Sequence, residues 1–264
     1  MKVLFTGGGS IATAYLQRYA ADVVSLRKQP DAQWYQLLEN YDVIIHNAAN
    51  LDFNQPLTTL IQDNFDITRR LLDTIFQYYP TKHFIYIGSM SYLETATTYI
   101  TPQKMSNYAF SKYLGEVYCL QHPHLYTSIV RFSTLFYQNP FKDGISKLIY
   151  EAATKGSITL IDGGIAVRDI LPIDVAVQYL YKLANTTVLA SSTLNIASHK
   201  ATSFAEIANY LLRKDSTLEI NNYQSQSIMP SILADFPPQI DNKLDKIDFI
   251  IENYISEYFS SLKP

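Results

Sequence analysis

The sequence predicts a doubly wound α/β protein, a parallel sheet covered by helices on both faces. Short apolar runs rich in β-branched residues alternate with helical patterns through the first ~130 residues. A glycine-rich turn, TGGGSIA (6–12), joins the first strand pattern to the first helix pattern. The strands are continuously apolar rather than alternating, as strands buried on both faces must be.

The elements follow in order. KVLF (2–5) reads as a buried strand, and SIATAYLQRYA (10–20) as a helix with apolar Ile11, Ala14 and Tyr15 on one side. DVVSL (22–26) is a second strand, AQWYQLLENY (32–41) a helix, and DVIIHNAA (42–49) a third strand ending in small residues. A long helical segment fills 56–79, HFIYIGS (83–89) is another strand, YAFSKYLGE (108–116) a helix and YTSIVRF (126–132) a strand. Beyond Phe132 the rhythm becomes irregular: ITLI (158–161), RDILPIDVAVQYLYKLA (168–184) and TLNIA (193–197) read as strand, strand-to-helix and strand. SFAEIANYLLR (203–213) and KIDFIIENYISEYFSSL (246–262) are amphipathic helices. A sheet of this kind binds ligands at the carboxyl ends of its strands.

Gly7, Gly9 and Ala12 satisfy the G-x-G-x-x-G/A spacing at the first strand-to-helix junction. Glycines there permit a tight turn and close approach to a pyrophosphate, with Ser10 and Ile11 opening the helix whose N–H groups receive it. An acid ending the second strand would accept hydrogen bonds from the adenosine ribose and favour NAD. This strand ends SLRKQ, so Arg27 and Lys28 are expected to pair with a 2′-phosphate, and NADP is preferred to NAD.

The ordered set KVLFTGGG, DVIIHNAA, FIYIGS, YAFSKYLGE, VRFSTLF, VRDILPIDVA and TLNIAS resembles the extended short-chain dehydrogenase/reductases, the sugar-nucleotide epimerase, dehydratase and reductase family, over nearly the whole chain. The resemblance implies a Rossmann domain, about 1–136 plus about 169–190, and a small C-terminal substrate-binding subdomain, about 137–168 and 191–264. It implies Tyr108 as acid/base, Lys112 as its partner and Ser89 as the hydroxyl that orients substrate. His46, Asn47, Ala48, Ala49, Asn64 and Ile87 would line the cofactor, together with Tyr108 and Lys112. Ser91, Thr134 and Arg168 would meet the substrate, Arg168 facing its phosphates. Tyr108 and Lys112 stand one helical turn apart, and a nearby ammonium is expected to lower the phenol towards working pH.

Departures from the family pattern refine the expectation. Few residues separate the Arg27 strand from the next helix, so the family's third strand is abbreviated or missing, as in dTDP-4-dehydrorhamnose reductases. Ser91 replaces the cysteine of the dual epimerase-reductases, and Ser89-Met90-Ser91 lacks the dehydratases' Asp-Glu pair. Reduction of a keto group, most simply at C4 of a nucleotide-activated sugar, is the expected activity. The alternatives are a 4-epimerase with tightly bound NAD and a non-catalytic NADP-binding sensor or scaffold. Cys119 is expected in the core, and Asp169 and Asp174 in structural roles, a turn contact and a helix cap.

Composition bounds the partners. A net charge of −3 without a basic tract points away from nucleic acid and anionic membranes. The 5 histidines are scattered, so no metal site is expected. A single cysteine, no leader ahead of the first strand and no apolar run of ~20 residues predict a cytoplasmic, non-membrane protein. The resemblance implies a homodimer.

Overall fold

The structure is a computed structural model, and it describes residues 1–94, 98–122, 126–187, 191–225, 247 and 249–263. Along the chain run β1 (Val3–Phe5), α1 (Ser10–Leu16), β2 (Asp22–Val23), α2 (Trp34–Glu39), β3 (Val43–His46), α3 (Leu57–Leu60), α4 (Ile67–Tyr78), β4 (His83–Ile87), α5 (Asn107–Leu120) and β5 (Thr127–Phe132). There follow β6 (Thr134–Phe136), α6 (Gly144–Lys155), β7 (Ser157–Ile161), β8 (Val167–Pro172), α7 (Ile173–Ala184), β9 (Ser192–Ile196), β10 (Ala201–Ser203), α8 (Phe204–Lys214), β11 (Glu219–Tyr223) and α9 (Ile251–Ser261).

The described residues of the chain divide into two compact units, 1–132 with 176–196, and 133–175 with 197–225, 247 and 249–263. The first contains a six-stranded parallel sheet in the order β2-β1-β3-β4-β5-β9. This is the usual dinucleotide-binding order without the strand that would lie outside β2. Short 3-10 turns, Leu26–Lys28 and Asp31–Gln33, occupy that stretch instead.

Every residue of β1, β3, β4 and β5 is buried, which is why their sequences do not alternate. On one face Leu4, Ile44, Phe84, Tyr86 and Ile129 pack against Trp34 and Leu38 of α2 and Ile67, Leu71 and Ile75 of α4. The α4 residues recur at helical spacing and bury a single face.

Three expectations are corrected here. The segment 56–79 is not one regular helix: a π-helical stretch, Ile61–Asp66, separates α3 from α4. The run 193–197, assigned by sequence to the smaller subdomain, contributes to β9 and completes the parallel sheet beside β5, register Val130↔Leu194. A short apolar run carries no record of its partner, and this one pairs with a strand more than fifty residues earlier. Conversely β8, with Asp169, lies in the second unit, whereas the sequence placed Asp169 on the Rossmann side.

The second unit holds a three-stranded sheet, β10-β8-β6, and the parallel pair β11-β7. Its core joins Phe136, Ile149, Ile158, Leu211, Ile255 and Phe259 from strands and helices of that unit. Asp143 caps α6 by accepting the Ser146 N–H at 2.7 Å, and Gly156 ends it at φ +68. A reciprocal Ser203–Glu206 capping box starts α8. Among the described residues no helix is long and apolar enough to cross a membrane, and no three His, Cys, Asp or Glu side chains group as metal ligands would.

Candidate active site

The chain leaves β1 for β2 on one side and returns to β3 on the other, so the carboxyl ends of β1 and β3 flank the topological switch point. The glycine turn stands there. Gly7 adopts φ +149, and a Cβ on it would lie 2.7 Å from both Cα and N of Ala48. Only glycine lets this turn close against the loop after β3. Gly8 and Gly9 are exposed, and Gly9 leads with extended geometry into Ser10 and Ile11 at the start of α1. Asn47, Ala48 and Ala49, opposite, are all partly exposed. Exposed backbone N–H groups, small neighbours and no acidic side chain within 6–12 fit the pyrophosphate of a nicotinamide dinucleotide.

Arg27 and Lys28 follow β2 on a 3-10 turn. Arg27 is already engaged, its guanidinium 3.2 Å from the Asp63 carboxylate, whereas Lys28 is exposed.

His46 does not face a ligand. It is fully buried, and both ring nitrogens are used inside the fold. Thr68 Oγ1 donates to the Asn64 carbonyl (2.6 Å), so it accepts from His46 Nε2 (2.9 Å); His46 Nδ1 then accepts from Thr6 Oγ1 (2.6 Å). Burial, helped by the Lys112 charge, lowers His46 to about 3. An unfolded histidine binds its proton near pH 6.5, and this one does not, so stability falls as pH drops from about 6.5 towards 3. His46→Gln, which can also donate and accept, is expected to flatten that fall by up to ~1.4 kcal/mol per pH unit. Denaturant titrations at pH 7, 6 and 5 check it.

Asn64 lies in the π-helical stretch, a geometry that frequently marks functional sites. Its amide is spent on positioning: Oδ1 accepts the Asn50 N–H (2.6 Å), and Nδ2 donates to the Asn50 carbonyl (3.1 Å) and to Ser111 Oγ (3.0 Å). Ser111 Oγ donates in turn to the Tyr108 carbonyl at 2.8 Å. One buried asparagine thus ties the loop after β3 to α5.

The α5 helix begins at the cap Ser106, whose side chain accepts the Ala109 N–H at 3.1 Å. Its buried face carries Tyr108, Ser111, Lys112, Gly115, Glu116 and Cys119. The Tyr108 phenol lies near enough to the side chain of Ser89, which follows Ile87 and Gly88 at the end of β4, for that hydroxyl to favour its ionised form. Ser89 Oγ is set by the Ser91 N–H (3.1 Å) and by Ser91 Oγ (2.8 Å). Lys112 Nζ stands 4.3 Å from the centroid of the Tyr86 ring. Tyr86 crosses beneath α5, its hydroxyl donating to the Lys112 carbonyl at 2.9 Å. A Cβ on Gly115 would lie 2.4 Å from that hydroxyl, which is why a glycine interrupts this helix.

The electrostatic expectation for Tyr108 is corrected. Burial raises the phenol to about 12, the Ser89 side chain opposes this only partly, and Lys112 does not bring it down. Burial lowers Lys112 to about 8. Desolvation is the largest cause at both groups, and the ammonium sits on the Tyr86 ring.

The structure therefore gathers Ser89, Ser91, Tyr108 and Lys112 in the first unit. Thr134 and Arg168 belong to the second, where Arg168 lies over the Phe204 ring at 5.6 Å and donates to the Val167 carbonyl at 2.8 Å. Cys119 is core, its thiol pushed up by burial. Asp169 is a turn contact, accepting N–H groups of Ser198 (2.8 Å) and His199 (2.7 Å); Asp174 lies in the first turn of α7. Sequence reading passed over Phe53, whose ring packs on Tyr108 at 4.8 Å, and over Glu116 and Arg131. An arginine inside the apolar run YTSIVRF was the signal available for that pair.

Comparison with known proteins follows from this geometry. The sequence model of an NAD-binding family described as male sterility protein matches residues 29–180, more than half of the chain. No curated protein matches. Solved structures match over the full length. One is the NAD-dependent NDP-hexosamine 5,6-dehydratase TunA of tunicamycin biosynthesis, with TM-score 0.77 and 20% identity over 98% of each chain. Another is the ADP-L-glycero-D-manno-heptose-6-epimerase of Helicobacter pylori, with TM-score 0.79 and 15% identity over 99% of this chain and 96% of that one. A third is the UDP-glucuronic acid 4-epimerase of Bacillus cereus in complex with UDP-glucuronic acid and NAD, with TM-score 0.74 and 19% identity over 99% of each. At such identities the likeness is one of fold. The family match and the dinucleotide-binding sheet agree, and the chain belongs to the NAD-binding family described as male sterility protein.

Proposed function

We propose that this protein is an NAD(P)-dependent oxidoreductase that reduces a keto group, at C4, of a nucleotide-activated sugar. The observation that carries the reading is the contact between the Tyr108 phenol and the Ser89 side chain, with Lys112 one turn further along α5. The nucleotide sugars in the names of the similar structures support the substrate class.

Bound nicotinamide dinucleotide, in reduced form, would supply a hydride to the carbonyl carbon. Gly7, Gly9, Ser10 and Ile11 would hold its pyrophosphate, and Asn47, Ala48 and Ala49 would flank it. Ser89 Oγ holds the substrate oxygen, and Tyr108 Oη gives that oxygen its proton as the C–H bond forms. A phenol raised to about 12 is fully protonated at neutral pH, which suits a proton donor and hence the reductive direction. Lys112, near 8, keeps its ammonium at pH 7 and resupplies Tyr108 with a proton. Arg168 and Thr134 are assigned to the substrate, Arg168 to its phosphates.

The second reading is a 4-epimerase, favoured by the likeness to the Bacillus cereus 4-epimerase; it uses the same three side chains and retains its cofactor. Incubating purified protein with NADPH or NADH and a panel of UDP-, dTDP-, GDP- and CDP-sugars, in both 4-keto and 4-hydroxy forms, tests both. Cofactor oxidation with one ketosugar supports the reductase. Interconversion of epimers without added cofactor replaces it by the epimerase, and inactivity across the panel overturns both.

NADP is the cofactor this reading prefers, through Arg27 and Lys28. The Arg27–Asp63 pair at 3.2 Å competes with a 2′-phosphate for the same guanidinium. Asp63→Asn is therefore expected to tighten NADPH about tenfold and leave NADH unchanged, while Arg27→Ala weakens NADPH alone by a similar factor. Fluorescence titration of both cofactors on both variants reads this, and equal effects on the two cofactors would remove the preference.

A further inference from the structure

Helix α5 presents Tyr108, Lys112 and Glu116 at i, i+4 and i+8, so all three project from one face. The first lies beside the Ser89 side chain, as described. The third reaches the main chain of the same serine through one intervening side chain. Ser89 N–H donates to the Tyr92 hydroxyl at 3.0 Å, and that hydroxyl donates to Glu116 Oε2. Glu116 is itself clamped by Arg131, through Nε (2.9 Å) and Nη2, and by the Tyr99 hydroxyl (2.8 Å). Arg131 continues to Asn195 Oδ1 at 3.2 Å on the neighbouring strand β9.

The local geometry is a capping box with a tyrosine in the place usually held by Glu or Gln. Ser89 Oγ accepts the N–H of the following turn, Met90–Tyr92, while the Tyr92 side chain returns to the Ser89 N–H. Gly88 makes room for it: a Cβ there would lie 2.6 Å from the Tyr92 hydroxyl and 3.2 Å from Glu116 Oε2. Burial and the Glu116 carboxylate push the Tyr92 phenol well up, so it stays a donor at any working pH.

We propose that Tyr92 is a positioning residue for the reaction: its hydroxyl, held by Glu116, fixes the Ser89 main chain to the same helix that carries Tyr108 and Lys112. The distance between the serine and tyrosine hydroxyls is then set by one rigid element gripping Ser89 at two points. Placement matters here because a shift of about 1 Å at a reacting group can cost ~10²-fold in rate. The chemical consequence rests on the reading above, in which Ser89 orients the substrate; the positioning itself does not.

Tyr92→Phe removes the hydroxyl and keeps the ring. The control is Tyr99→Phe, which also takes a phenolic donor from Glu116 but does not touch Ser89. Hydrogen exchange at the Ser89 amide, followed by NMR, needs no substrate. It is expected to accelerate at least tenfold in Tyr92→Phe and stay unchanged in Tyr99→Phe, with similar losses of melting temperature. In turnover assays Tyr92→Phe should lower kcat about tenfold or more, with cofactor affinity unchanged. The same change added to Ser89→Ala should cost nothing further, because its effect passes through the serine. Unaltered Ser89 exchange in Tyr92→Phe, equal acceleration in the two phenylalanine variants, or rate losses that multiply in the double variant would each overturn the proposal. A wild type that reduces no ketosugar would overturn the functional reading alone, and the exchange result would still decide the positioning.

Discussion

Tyr108→Phe is expected to lower turnover by ~10²–10⁴-fold while leaving cofactor affinity within about twofold of wild type. The substitution deletes one oxygen. The ring keeps its burial and its packing against Phe53 at 4.8 Å, so the helix and the site around it remain in place. What is lost is the proton donor, and the other hydroxyls on α5 are placed elsewhere: Ser111 is fully buried and committed to Asn64 and the Tyr108 carbonyl, Tyr118 donates to Asp73, and the Tyr113 ring packs on Tyr92 and Tyr99. Lys112→Met differs in kind, because the lysine is assigned both to proton resupply and to the cofactor; it should reduce turnover and weaken cofactor binding together. The pH profile of wild-type reduction carries the same signature. Lys112 lies near 8, so kcat is expected to fall as pH rises above about 8 and the ammonium is lost. Stopped-flow turnover, with cofactor affinity measured separately, distinguishes these outcomes. A Tyr108→Phe protein that retained full turnover would transfer the acid role elsewhere.

Glu116→Ala is expected to be the most destabilising single change in the first unit, by ~3–5 kcal/mol. Both partners of the ion pair are buried, with side-chain exposures of 5% for Arg131 and 0% for Glu116. Removing the carboxylate strands a guanidinium out of water and takes the acceptor from two phenols, Tyr92 and Tyr99. Burial opposes the Arg131 charge, but its bonds to Glu116 more than offset that and raise its pKa. The double change Glu116→Leu with Arg131→Met should recover much of the loss, since an apolar pair leaves no charge behind. The readout is direct. The chain has 1 tryptophan, and Trp34 is 1% exposed in the core of the first unit, so its fluorescence reports the unfolding of that unit in urea. A double variant less stable than Glu116→Ala would show that the pair, rather than the stranded charge, dominates.

The parts of the fold legible in sequence were those where burial is two-sided. Val43, Ile44 and Ile45, or Phe84, Ile85 and Tyr86, announce strands because every position must be apolar when helices cover both faces. The glycine turn was legible because its context, strand before and helix after, is local. The π-helical break at Ile61–Asp66 was not, since the apolar pattern runs on through it and the Asn64 amide within it finds its partners, Asn50 and Ser111, far along the chain. Nor was the fate of Arg27, whose partner Asp63 stands 36 residues away on the π-helical stretch (63 − 27).

The sequence by itself determined the class of sheet, the place of the dinucleotide turn, and the helical ladder on which Tyr108, Lys112 and Glu116 stand four residues apart. Those follow from periodicity and from backbone requirements, which act over a few residues. Tertiary structure alone decided that β9 joins the parallel sheet, that His46 is locked between two threonines, and that Lys112 spends its charge on the Tyr86 ring while Tyr108 is held protonated by burial. Solvation and partner choice depend on what the rest of the chain brings alongside, and one-dimensional spacing does not contain that.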